Sequence, residues 1–314
     1  RECPSFPRGG REVVEPARGG SRISDGRFVI LDLIATGGFA AVYRAYDLCR
    51  QTHVACKMHH VSSEWPERRK EAFVRHVERE FKITNGVQHR RVVETFAAFE
   101  IDDQTIVTVM PYCNGGSLAD LLRRHGPLAE KEAKSIIVQV LAGLRHLHTR
   151  REPIIHYDLK PANILFHEGE VRLSDFGLSK LMDQASAQRG GGSGMELTSY
   201  GSGTHGYLPP ECYEGDASRI CPKVDIFSAG VVWFTSLFYP QKPFFSDASQ
   251  QQIMAMSSHS MRAETQRLTI PDTKPALSVE AQIALRRCLA PRRDDRPNAQ
   301  TLLEDPYFAG KGKQ

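Results

Sequence analysis

Methionine is missing from the first position, tryptophan occurs only twice, and the seven cysteines (3, 49, 56, 113, 212, 221 and 288) include no C-x-x-C pair. With no secretory signal peptide in view, such scattered cysteines favour free thiols in an intracellular, reducing compartment. Long apolar runs are missing too. The most apolar stretch, 229–238, is about half the ~20 residues a membrane helix requires, and it reads as a buried core helix. A strong excess of either charge is absent: 41 Lys and Arg face 37 Asp and Glu, a net +4 over 314 residues. That is too little by itself to imply nucleic acid as a partner. No internal repeat is visible, and the Arg at position 1 is read as the mark of a fragment or trimmed chain.

What is present is ordinary for a globular protein, with 40% apolar and 25% charged residues. The length suits one large domain or two smaller ones. Residues 1–26 are rich in Pro, Gly and Arg without periodic apolar pattern, and a disordered leader is expected there. From Arg27 the patterning predicts strands over 27–34, 41–46 and 52–58, a charged helix over 67–85, and strands over 97–101 and 105–110. Beyond Asn114-Gly115-Gly116 the pattern turns mostly helical. Ile136, Val140, Leu144 and Leu147 share one face of a helix over 130–149, and 225–238 is a candidate central helix. The expected class is α+β, with two lobes hinged near 110–114 and a short tail over 309–314.

One stretch concentrates chemistry. Ile155-His156-Tyr157-Asp158-Leu159-Lys160-Pro161-Ala162-Asn163 is followed by Asp175-Phe176-Gly177. Together they set a carboxylate, an amine, an amide and a second carboxylate at the spacing that phosphoryl transfer from ATP needs. The pattern resembles the protein kinase catalytic loop, H-R-D-x-K-x-x-N, and the magnesium-binding D-F-G, with Tyr157 in place of the usual arginine. The resemblance implies the bilobal protein kinase fold, with an N-lobe over 27–113, a C-lobe over 114–308, and ATP and Mg2+ as cofactors. It makes Asp158 the catalytic aspartate, orienting the substrate hydroxyl and accepting its proton. Lys160 would neutralise the transferring phosphate, and Thr204 is expected against Asp158. Asn163 and Asp175 would hold magnesium, whose preference for oxygen suits an amide and a carboxylate. Lysine at position 160 is the serine/threonine-kinase form.

Upstream, Ala35-Thr36-Gly37-Gly38-Phe39-Ala40-Ala41-Val42 aligns with the kinase G-x-G-x-x-G-x-V but keeps only its central glycine. Ala35 and Ala40 are small, so a usable but stiffer phosphate flap is expected. Lys57 of Val54-Ala55-Cys56-Lys57 would bind the α- and β-phosphates and be held by Glu80, with Glu78 as the alternative partner. Ile34, Val42, Ala55 and Leu165 would wall the adenine, and Met110 would close the pocket behind it. Pro111 and Cys113 would meet the adenine through their backbone, and Ser117 the ribose. Glu211, in Pro209-Pro210-Glu211, is expected to pair with Arg296, and Asp225 to anchor the backbone of the catalytic loop.

Several segments carry a narrower resemblance. The H-Y-D form of 156–158, Gly194-Met195-Glu196-Leu197-Thr198-Ser199, Gly201-Ser202-Gly203-Thr204 and Tyr207-Leu208-Pro209-Pro210-Glu211-Cys212 are similar to the Tousled-like kinases. That resemblance implies a nuclear serine/threonine kinase acting on histone chaperones in chromatin assembly, replication and repair. No membrane and no direct nucleic-acid binding by this domain are expected, and any oligomerisation would use segments outside this chain. The alternatives are another serine/threonine kinase and a nucleotide-binding pseudokinase scaffold. The insertion Gly190-Gly191-Gly192-Ser193-Gly194 points to a divergent member. Thr198, Ser199 and Ser202 are candidate autophosphorylation sites. In most kinases the arginine at the Tyr157 position pairs with an activation-loop phosphate, an ion pair that tyrosine cannot make.

Overall fold

The computed structural model describes residues 22–37, 40–181, 204, 206–213, 220–245, 248–273 and 276–309. Most of the expected leader, Gly38, Phe39, the insertion at 190–194, Thr198, Ser199, Ser202 and all but the first residue of the tail lie outside them. The chain divides into two units, with the boundary between Asn114 and Gly115.

Alternating side chains build the sheet of the first unit. Strands β1 (Arg22–Ile23), β2 (Phe28–Thr36), β3 (Ala40–Asp47), β4 (Thr52–His60), β5 (Ala97–Asp102) and β6 (Thr105–Pro111) run in the order β1-β2-β3-β4-β6-β5. Every neighbouring pair is antiparallel. Phe28, Ala45, Val54, Cys56, Phe99, Val107 and Val109 pack on one side as a core, with Phe28 stacked on Phe99 at 5.7 Å. Residues 22 and 23, expected in the leader, belong to this sheet: they pair with Val29 and Phe28, and Ile23 is buried. A two-residue strand is too short to show a period. Helix α1 (Glu67–Thr84) buries Val77, Glu80 and Ile83 along one stripe. An acidic residue in its first turn and a basic one in its last suit the helix dipole.

The second unit is mostly helical. Ser117 caps α2 (Leu118–His125), and Glu132 bonds back to the backbone of Ala129 at the start of α3 (Glu130–His148). Helix α3 buries Ile136, Ile137, Val140, Leu141, Leu144 and Leu147. Two antiparallel pairs follow, the hairpin of β8 (Ile164–His167) with β9 (Glu170–Leu173), and β7 (Ile154–Ile155) with β10 (Lys180–Leu181), which brackets it in sequence. Every residue of α4 (Lys223–Phe238) from Val224 onward is buried. A helix apolar on all sides must be surrounded, and Trp233 there stacks on Tyr307 at 5.6 Å. Shorter helices follow among the described residues: α5 (Gln250–Met254), α6 (Ser258–Thr265), α7 (Val279–Cys288), α8 (Ala299–Glu304) and α9 (Pro306–Ala309). Among the described residues no helix is long and apolar enough to cross a membrane.

Candidate active site

Strand β7 ends at Ile155 and delivers the loop 156–160 with its backbone tied down. The Asp225 carboxylate, in the first turn of α4, accepts hydrogen bonds from His156 N (2.8 Å), Tyr157 N (2.9 Å) and His148 Nε2 (2.8 Å). Asp225 is wholly buried, so these donors replace its hydration. They also hold Tyr157 in the left-handed region, at φ 66°, a conformation that costs a side-chain-bearing residue ~1–2 kcal/mol. Asp225 thus occupies the anchoring position expected of it.

Held this way, Asp158 faces a dense set of donors. Its Oδ1 accepts from Thr204 N (3.1 Å) and Thr204 Oγ1 (2.7 Å). Its Oδ2 accepts from Lys160 Nζ (2.7 Å) and Asn163 Nδ2 (3.0 Å), and Lys160 Nζ also donates to Thr204 Oγ1 at 2.8 Å. A carboxylate offers about four lone-pair sites, and four donors fill them. Lys160, on a flexible four-carbon stem, is the donor with the most freedom to leave Oδ2.

Asn163 and Asp175 are positioned separately. Asn163 sits in the turn Pro161–Asn163 with its amide nitrogen on Asp158 O (2.8 Å) and Oδ2, which leaves the amide oxygen as the group to meet a cation. Ser174 N and Oγ both donate to Asn163 O (2.9 and 3.1 Å), joining the loop to the Asp175 segment. His156 donates from Nε2 to Ser174 O at 3.0 Å and packs its ring on buried Phe176 at 4.7 Å. Asp175 is exposed and has φ 63°. An exposed carboxylate and an amide oxygen fit a hard cation such as Mg2+, which binds through one or two protein oxygens and completes its shell with water and phosphate. Among the described residues no group of three or more His, Cys, Asp or Glu could form a fuller cage.

The first unit holds the remaining expected residues. Strand register sets Lys57 opposite Val42 and Thr108, and Ala55 opposite Met110. Lys57 Nζ lies 2.9 Å from Glu80 Oε1, with both side chains largely buried. Glu78, the alternative partner, instead faces Lys82 at 3.7 Å. Neighbouring Cys56 points into the core, where burial pushes its thiol up to about 12, so it stays protonated and inert. Ala35 and Thr36 pair with Val42 and Ala41, and Gly37 N donates to Ala40 O at 2.7 Å. Among the described residues, a Cβ on Gly37 would meet Ala40 O at 3.5 Å, an ordinary contact. Ile34 is exposed, Ala55 is buried, and Val42, Met110, Pro111, Cys113 and Leu165 are half-buried.

Ser117, expected at the ribose, uses its hydroxyl otherwise. Oγ accepts from Asp120 N (3.1 Å) and donates to Asp120 Oδ2 (2.6 Å), closing the cap of α2. The capping-box pattern Ser117-x-x-Asp120 was the available signal. Glu211 and Arg296 form the expected buried pair, bidentate at 2.6 and 2.9 Å. Sequence reasoning missed His148, whose ring meets the Asp225 carboxylate 77 residues on, and His156 and Ser174, which act through backbone atoms; no motif spacing reveals these contacts.

A protein kinase domain family model matches residues 28–308. The chain is 42% identical over 289 residues to serine/threonine-protein kinase TOUSLED of Arabidopsis thaliana, covering 91% of this chain and 41% of that protein. It is 42% identical over 288 residues to serine/threonine-protein kinase tousled-like 1 of Homo sapiens (90% of this chain, 37% of the relative). With tousled-like 1 of Caenorhabditis elegans it shares 38% over 295 residues (93% and 30%). The chain thus spans less than half the length of these curated relatives. An Asp158 ringed by Lys160, Asn163 and Thr204, a Lys57–Glu80 pair and a family match over nearly the whole described chain lead to one conclusion: the chain belongs to the protein kinase domain family, and within it is similar to the Tousled and tousled-like serine/threonine kinases.

Proposed function

We propose that this chain is an ATP-dependent protein serine/threonine kinase of the Tousled-like type. The observation that carries the reading is Asp158 with Lys160 and Thr204 on its carboxylate. In the reaction, the substrate hydroxyl oxygen bonds to the γ-phosphorus, the bond from that phosphorus to the ADP oxygen breaks, and the hydroxyl proton passes to Asp158. Lys160 leaves Asp158 for the transferring phosphate, while Thr204 keeps the carboxylate oriented. Lys57, fixed by Glu80, holds the α- and β-phosphates, and Gly37 gives the phosphates an approach that a larger side chain would crowd. Magnesium held by Asn163 and Asp175 would neutralise phosphate charge. Ile34, Val42, Ala55, Met110 and Leu165 supply apolar contacts for adenine.

Histone chaperones as substrates, a role in chromatin assembly, replication and repair, and residence in the nucleus are part of this proposal, drawn from the H-Y-D and activation-segment resemblance to Tousled-like kinases. Ser117 and Ala162 stand where arginine-directed kinases place glutamates, so no strong preference for an upstream arginine belongs to this reading. The test is transfer of labelled phosphate from ATP to a purified histone chaperone and to a generic basic protein. Wild type should label the chaperone in preference. Asp158→Asn should lose ~100-fold or more in rate, the scale of a lost general base, while still binding ATP. Equal inactivity of both proteins, with ATP bound, would favour a nucleotide-binding scaffold.

A further inference from the structure

Three residues past Thr204, whose amide and hydroxyl close on Asp158, stands a tyrosine with a cation over its ring. Tyr207 N donates to Thr204 O at 3.1 Å, and a turn closed by such a bond keeps its two ends within about 7 Å. Gly206, at φ 90°, supplies the positive φ inside that turn. Ser228 Oγ, on buried α4, donates to Tyr207 O at 2.9 Å and fixes the far end of the turn. Lys242 Nζ lies over the Tyr207 ring, 5.4 Å from its centroid.

Lys242 is itself placed by packing. Gln241 N donates to Phe238 O at 2.9 Å, at the end of α4. Phe244 is buried and stacks on Phe227 of the same helix at 5.9 Å. Between those anchors Lys242 is half-buried. Among the described residues no carboxylate pairs with it. Glu211, four residues beyond Tyr207, is taken up by Arg296. Burial pushes the Tyr207 phenol up to about 12, so the companion of Lys242 is a neutral ring and not an anion. A ring face attracts an ammonium through its quadrupole but accepts none of its three N–H donors as a carboxylate would. A substrate hydroxyl at Asp158 lies beside Thr204, so the peptide that carries it runs close to this turn. An extended peptide, at ~3.3 Å per residue, covers the distance from the turn to Lys242 Nζ within about five residues.

We propose that Lys242 is a specificity-determining residue, which selects protein substrates carrying a glutamate or aspartate within about five residues of the target hydroxyl. Its ammonium meets that carboxylate by a charge-assisted hydrogen bond, and the Tyr207 ring holds it in place. This role deepens the kinase reading and rests on it, but peptide binding measured without ATP can fail independently of that reading.

The probe is a set of otherwise neutral peptides with one central serine, in which glutamate, glutamine or arginine is placed in turn at each of about five positions on either side. The 314-residue chain is assayed for kcat/KM on each. At one position, or two adjacent ones, glutamate should be preferred to glutamine about fivefold, the upper range for a solvent-accessible ion pair, with the gain in KM. Lys242→Glu should invert the preference at that same position, so that arginine becomes the favoured residue. A merely structural role for Lys242 gives no such inversion. If Lys242→Glu does not fold, Lys242→Gln should bring the ratio of glutamate to glutamine peptides to about one. The same peptides with alanine for the central serine, fluorescein-labelled and titrated by anisotropy without ATP, should show the same ranking and the same inversion. Were no peptide phosphorylated, the kinase reading would fall, while the ranking of the alanine peptides would still decide the role of Lys242. No position at which glutamate is preferred, or a preference that persists in a folded Lys242 variant, overturns the proposal.

Discussion

Tyr157 replaces the arginine usual in kinase catalytic loops, and its surroundings show what the exchange does. The side chain is 2% exposed and packs with Ile155, Leu208, Cys212, Ile220 and Val224. Burial, then proximity to Cys212, pushes the phenol far above its ordinary range, so it is neutral at every working pH. A buried neutral ring ties 208–212 to the catalytic loop by apolar contact, where an arginine would need a phosphate to complete its charge. Phosphatase treatment should therefore leave the transfer rate essentially unchanged. A large fall in rate, restored by rephosphorylation of the loop, would overturn this account. The motif spacing made Asp158, Lys160 and Asn163 legible, because they lie within one short loop. The companions Thr204 and Asp225 stand 46 and 67 residues away from Asp158 in the chain, and their contacts required the fold.

Elements respond to substitution where backbone approaches backbone. Gly115 N donates to Phe166 O at 2.8 Å, and a Cβ at Gly115 would lie 2.6 Å from Phe166 Cβ and 3.0 Å from its carbonyl oxygen. Gly115→Ala should destabilise the second unit by about 1–3 kcal/mol, read from denaturant midpoints. In the first unit, Asp47 accepts from Arg27 at 3.0 and 2.7 Å and from the amides of Cys49 and Arg50, closing the β3–β4 turn. Those bonds, Arg27's first, hold its carboxyl below the usual range. A depressed folded pKa gives stability that is present above the unfolded value, near pH ~3.9, and is lost as pH falls through the folded one. Asp47→Asn should cost about 1–3 kcal/mol at neutral pH and remove that acid-side dependence in urea titrations run from neutrality to below pH ~4. Strands β2 to β6 and the long helices α1, α3 and α4 were legible from periodicity to within two residues. The four-residue strands β8 and β9 and the two-residue strands β1, β7 and β10 were not, since they are too short to show a period and pairing defines them.

For the chain as a whole, the proposed nucleotide chemistry links to stability by mass action. A ligand that binds only the folded state at a hundred times its Kd adds about 2.7 kcal/mol. ATP with Mg2+ should raise the unfolding midpoint by several degrees, and EDTA should reverse much of the gain. If ATP alone and ATP with Mg2+ shift the midpoint equally, Asn163 and Asp175 do not hold the cation. Glu80→Gln should diminish the same shift, because Lys57 would lose the carboxylate that aims it.

Local spacing by itself determined the chemistry: the 155–163 and 175–177 segments, the strand lysine and the periodic strands and helices all depend on residues close in the chain. Only tertiary structure decided which groups those residues meet. It turned the Ser117 hydroxyl to a helix cap, chose Glu80 over Glu78 for Lys57, and buried Tyr157 in an apolar cluster. The reason is physical. Periodicity and turn chemistry act over a few residues, whereas hydrogen-bond partners and burial follow from packing between segments that the chain order leaves far apart.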